Sequence, residues 1–70
     1  MENPKIWGRI NDLIKDIDRN YFKGIGKPEP LKHHRKGYWS RRITDEHRLI
    51  YKIENDKIII ASFYGHYDDK

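Results

Sequence analysis

The sequence predicts an α+β domain in which one helix packs on a three-stranded antiparallel meander, and three observations carry that prediction. Isoleucine and leucine recur at helical spacing between Ile6 and Ile17; glycine and proline break the periodicity between Asn20 and Lys36; three short β-type runs with brief connections follow Gly37. With no linker, repeat or low-complexity stretch, residues 1–70 read as a single domain.

The helix has its boundary signals in order. Asn3 suits the cap, Pro4 suits a first helical position that needs no amide partner, and Ile6, Ile10, Leu13, Ile14 and Ile17 form one apolar face. Asp12, Lys15, Asp16 and Arg19 fall largely on the other side. The loop that follows is stiff at its centre, because Pro28 and Pro30 each restrict the preceding residue to extended conformations. Glu29 therefore sits between two rings, near Lys27, Lys32 and Arg35, either as local charge balance or as a positioned base.

The strands are expected over Tyr38–Ile43, His47–Ile53 and Lys57–Tyr64. A three-residue loop at Thr44–Glu46 would set Arg42 opposite Arg48; a two-residue turn at Asn55 and Asp56 would pair Ile53 with Ile58, Ile50 with Ala61 and Arg48 with Phe63. One face then carries Trp39, Leu49, Tyr51, Ile53, Ile58 and Ile60 toward the helix, with Trp7 and Trp39 read as core and one of them as partly exposed. The other face carries Ser40, Arg42, Arg48, Lys52 and, at its edge, Phe63. Two arginines directly opposed repel unless they share an anion. Arg41 and Arg42 alternate across their strand, so only one of them faces a given ligand, and this register prefers Arg42.

Composition narrows the chemistry. The absence of cysteine excludes disulfides, thiolate zinc sites and cysteine nucleophiles. The longest apolar run, Ile58 to Ala61, is far too short to cross a bilayer, and the first residues lack a signal-peptide layout, so a cytoplasmic protein with no membrane partner is expected. The net charge of +4 is concentrated: nine of the 15 Lys and Arg but three of the 11 acids lie between Arg19 and Arg48, leaving six bases and eight acids outside. Such a segment, interleaved with Tyr21, Phe22, Tyr38 and Trp39, suits a nucleic acid or is a solvated basic surface over core aromatics.

RNA carries its own nucleophile, the 2′-hydroxyl, so its cleavage needs only a base, a cation for the phosphorane charge and an acid for the leaving 5′-oxygen. Glu29, Arg48 and His66 have the chemistry for these roles in turn. His33, His34, His47 and His66 show no metal-ligand spacing, so neither a metal nor a cofactor is expected.

The run Gly26-Lys27-Pro28-Glu29-Pro30-Leu31-Lys32-His33, the segments Gly37-Tyr38-Trp39-Ser40-Arg41-Arg42-Ile43-Thr44 and Glu46-His47-Arg48-Leu49-Ile50-Tyr51, and the terminal His66-Tyr67 together resemble the YoeB toxins of the RelE superfamily. The resemblance runs from the first helix to Tyr67. It implies a RelE/YoeB-like microbial RNase fold and the toxin of a type II toxin-antitoxin pair, an mRNA interferase that enters the 30S A site beside 16S rRNA and cuts mRNA there without metal. By position it suggests Glu29 as general base, Arg48 as phosphate stabiliser, and His66 with Tyr67 as acid and substrate contacts. Lys32, His33, Arg41 and Arg42 would contribute RNA and ribosome contacts. A YefM-like antitoxin is the implied protein partner, covering the site with an acidic, partly disordered segment.

Two departures accompany the resemblance. The family pattern places another strand and helix ahead of the helix that opens this chain, and it commonly stops near the His-Tyr pair, where Asp68-Asp69-Lys70 follow here. An exposed sheet edge with an Ile and Trp surface would favour a homodimer or aggregation. The departures keep open a second reading, a catalytically weak relative that binds antitoxin or ribosome, and a third, a nonspecific RNA-binding protein.

Overall fold

In the computed structural model, which describes residues 4–62, Pro4 opens a helix of 16 residues, α1 (Pro4–Arg19). The capping role expected of Asn3 lies outside the described residues. Ile10, Leu13 and Ile17 are buried and Ile6 and Ile14 partly so, as the apolar spacing requires. Arg19 in the last turn complements the negative end of the helix dipole.

Among the described residues the sheet has four strands where three were expected. They are β1 (Glu29–Pro30), β2 (Trp39–Arg42), β3 (Arg48–Glu54) and β4 (Lys57–Ser62), antiparallel and in sequential order, with a 3-10 turn at His33–Arg35 between the first two. The extra strand is the proline-bounded stretch. Its forced extension lays it beside β2, pairing Glu29 with Ser40 and Pro30 with Trp39, and the Leu31 amide donates to the Tyr38 carbonyl at 2.9 Å. Proline lacks the donor a central strand needs, so an edge position suits it.

Both tight connections form where expected. Thr44 Oγ1 accepts from the amides of Glu46 and His47, and the Ile43 amide donates to the His47 carbonyl, which sets Arg42 opposite Arg48. Asn55 and Asp56 have φ of 53° and 62°, the signature of a type I′ hairpin turn, and Ile53 pairs with Ile58. The expected pairing of Ile50 with Ala61 does not occur. An irregularity between Ile50 and Tyr51 sets Tyr51 opposite Ile60 but Ile50 opposite Ser62, so Ala61 is the extra residue of a bulge. The pairing expected for Phe63 lies outside the described residues.

Ile10, Leu13, Ile17, Ile43, Leu49 and Tyr51 form the buried cluster, with Trp39, Ile53 and Ile58 packed at its margin. Gly26 lies so close to the helix that a β-carbon there would stand 2.7 Å from Leu13 Cδ2. Toward β4 the cover thins: Ile60, expected in the core, is 38% exposed, and Trp7 is 42% exposed. Trp39 is the half-buried member of the expected tryptophan pair. Among the described residues β4 pairs only with β3. Among the described residues no helix is long and apolar enough to cross a membrane.

Candidate active site

The face of the sheet turned away from α1 is laid out by pairing alone. Antiparallel partners project to the same side, so Glu29, Ser40, Ile50 and Ser62 form one row across all four strands, and Arg42 with Arg48 forms the next. Ser40 and Ile50 are buried and give the row a rigid floor. From strand spacing and rise, the Cα atoms of Glu29 and Arg48 lie about 12 Å apart, a span that two extended side chains can close around a group of phosphate size.

The electrostatics of this face are unbalanced. Arg42 and Arg48 are directly opposed at the end of the β2–β3 ladder, both half-buried. Nε of Arg42 is buried with no hydrogen-bond partner among the described residues. A buried donor left unmade costs about 1–3 kcal/mol, so an acceptor reaching Nε of Arg42 would be stabilising. An anion would satisfy the donor and offset the repulsion of two guanidinium groups together. Farther along the same face, Lys52 pairs with Glu54 at 3.3 Å and sits over the Tyr38 ring at 5.3 Å from its centroid. Its pKa is raised, first by the Glu54 hydrogen bond, then by the Glu54 charge.

Of the residues expected at the site, Glu29, Arg42 and Arg48 share this face. Lys32 and His33 are exposed in the connection between β1 and β2, at the start of the 3-10 turn, with His33 in the left-handed region at φ 58°. His66 and Tyr67 lie outside the described residues. Arg41 is a correction. Expected among the RNA contacts, it is fully buried on the helix side, because strand alternation sends it opposite to Arg42 and toward Asp16.

Arg41 is the hub that sequence reasoning missed. Its Nη1 donates to Asp16 Oδ2 at 2.6 Å and to the Ile25 carbonyl at 3.2 Å; its Nη2 donates to the carbonyls of Asn20 and Lys23 at 2.8 and 2.9 Å; its Nε donates to Tyr51 Oη at 3.2 Å. Asp16 Oδ2 also accepts the Ile25 amide. The Arg41 hydrogen bond, followed by that amide, holds the Asp16 carboxyl below the usual aspartate range. Tyr51 donates onward to the Tyr21 carbonyl at 2.7 Å, and burial pushes its phenol above the usual tyrosine value. The signal was present in the register, since a strand that turns Trp39 to the core must turn Arg41 there too.

Comparison with known proteins bears on the family and the fold. A family model described as a YoeB-like toxin of bacterial type II toxin-antitoxin systems matches residues 1–67. Toxin YoeB of Escherichia coli K12 is 56% identical over 65 residues, which cover 93% of this chain and 77% of that one. Among solved structures, a YoeB/ParE toxin from Agrobacterium tumefaciens superposes with a TM-score of 0.92 at 43% identity, covering 94% of this chain and 79% of the other. A YoeB-YefM complex from Staphylococcus aureus gives 0.89 at 52% identity, covering 94% and 77%. With both sequence and fold matched over nearly its whole length, the chain belongs to the YoeB-like toxins of bacterial type II toxin-antitoxin systems.

Proposed function

We propose that this toxin is a ribosome-dependent endoribonuclease that cuts mRNA in the ribosomal A site by attack of the RNA's own 2′-hydroxyl. Glu29 takes the hydroxyl proton as the O2′–P bond forms. Arg48, with Arg42 beside it, holds the non-bridging oxygens as charge builds on them. The P–O5′ bond then breaks, leaving a cyclic phosphate, and the departing oxygen takes a proton from His66, with Tyr67 as a substrate contact. Lys32 and His33 extend the basic surface along the strand of RNA. Because the nucleophile comes with the substrate, the scheme needs no metal ion and no cofactor.

The observation that carries this reading is the opposed Arg42–Arg48 pair with its unpartnered buried Nε, on the same sheet face as a carboxylate held between two prolines. The natural protein partner is a YefM-like antitoxin, whose acidic residues would occupy the same cations. Ribosome and antitoxin both place the action in the cytoplasm.

The test is primer-extension mapping of a translated messenger, run with and without EDTA. Glu29→Gln is expected to slow cutting by about 10²–10⁴-fold, the usual yield of a general base. Arg48→Ala is expected to cost about 10²–10³-fold, as for other lost transition-state charge contacts. Both variants should keep the wild-type circular dichroism. Cutting by Glu29→Gln at the wild-type rate overturns the mechanism.

A further inference from the structure

We propose that Arg41 and Asp16 are a positioning pair that sets Glu29 by locking the loop between α1 and β1. The inference rests on the reading of Glu29 as the base and adds to it the device that holds the base in place. The loop has no regular structure of its own, so its path is whatever its bonds dictate. Arg41 spends all five guanidinium N–H groups there: two on the carbonyls of Asn20 and Lys23, one on that of Ile25, one on Asp16 and one on Tyr51. Tyr51 relays to the Tyr21 carbonyl, and Asp16 closes the ring by accepting the Ile25 amide. Four of the six residues from Asn20 to Ile25 are thus held by one buried cation and its two neighbours.

The lock is short-coupled to the base. Directly after Ile25, the Gly26 carbonyl accepts the Arg42 amide at 2.6 Å, which joins the loop to β2. Only Lys27 and Pro28 then separate Gly26 from Glu29. Lys27 is in the left-handed region at φ 50° and not in the extended conformation expected before Pro28, Pro28 fixes its own φ, and Glu29 is already paired with Ser40. Phe22 of the loop stacks on Trp39 of β2 with ring centroids 4.7 Å apart. This segment has no slack to absorb a shift at Asn20–Ile25 before it reaches the carboxylate. Arg41 and Arg42, neighbours in sequence, thus serve the two faces separately: one holds the loop that carries the base, the other faces the anion.

The test compares wild type, Asp16→Asn, Glu29→Gln and the double variant in single-turnover cleavage on programmed ribosomes, with amide exchange measured on the same four proteins. Asp16→Asn keeps the size of the side chain and is preferred to Arg41 replacements, which risk unfolding. Displacing a catalytic group by about 1 Å costs on the order of 10²-fold, so Asp16→Asn should lower kcat by about 10- to 100-fold with KM within about twofold. It should lower the rate no further in the Glu29→Gln background. Amides of residues 20–27 should exchange roughly tenfold faster while those of β3 keep their protection. An equal proportional loss in both backgrounds, or unchanged exchange in the loop, overturns the proposal. Cutting by Glu29→Gln at the wild-type rate overturns the base assignment instead. Faster exchange confined to the loop would then show the lock to be real and its catalytic purpose absent.

Discussion

Replacing Gly24 and Gly8 by alanine makes the same chemical change at two places with opposite expected signs. At Gly24, φ is +127°, and a β-carbon would stand 1.8 Å from Asp16 Oδ2, 2.8 Å from its Cγ and 3.2 Å from Arg41 Nη1. The backbone strain alone is worth about 1–3 kcal/mol. The carboxylate must also swing away, which releases the Ile25 amide and leaves the buried guanidinium without its counter-charge, so the total exceeds the strain. A domain of this length has about 4–10 kcal/mol in all, at roughly 0.05–0.15 kcal/mol per residue. At Gly8, inside α1, nothing lies within 4 Å of the added carbon. Alanine there should stabilise by about 0.8–1.0 kcal/mol through helix propensity. Urea unfolding followed by circular dichroism and tryptophan fluorescence measures both. With a slope near 1 kcal/mol/M, the Gly24→Ala midpoint should fall by about 1–3 M or more, and the Gly8→Ala midpoint rise by nearly 1 M. A Gly24→Ala variant within about 0.5 kcal/mol of wild type refutes the claim that this loop is locked from within.

Two further outcomes follow from the same structure. Asp16 has a lowered folded-state pKa, so its contribution to stability is fully present above the ordinary aspartate value of about 3.9 and is lost as pH falls through the folded value. Urea midpoints taken between pH 5 and pH 2 should therefore fall more steeply for wild type than for Asp16→Asn; parallel curves would count against it. Asp56 sits at φ 62° in the second central position of a type I′ turn, and Asp56→Gly creates the favoured Asn-Gly pair. A gain of about 0.5–1 kcal/mol in the same unfolding assay is expected, and a loss would mean that the Asp56 side chain has a role in the hairpin.

Where loop length fixes pairing, the sequence was legible down to single residues. The Thr44–Glu46 loop and the Asn55–Asp56 turn placed Arg42 against Arg48 and Ile53 against Ile58 because hairpin geometry is local. The bulge at Ala61 left no mark, since an alanine fits a regular or a bulged strand equally well. The β1 strand was missed because two prolines read as loop until a neighbouring strand supplies a ladder. At the candidate site, the shared face of Arg42 and Arg48 could be read from the register, whereas the roles given to Glu29 and Arg48 came by position from the family resemblance. The register already turned Arg41 inward with Trp39, but its partners lie 10 to 25 residues away in sequence, so the network that makes burial of its guanidinium favourable left no local pattern.

The adjacency of Arg41 and Arg42 has a consequence for misassembly. Strand side chains alternate with a period of two, so slipping β2 by one residue would exchange the two arginines. Arg42 would turn inward, displaced along the strand from Asp16, while Arg41 left its five partners for solvent. The slipped chain would thus lose the outward-facing Arg42 and its loop anchor in one step. The register is thereby protected, because a one-residue error would strand Asp16, Tyr51 and the carbonyls of Asn20, Lys23 and Ile25, which now share one buried donor group.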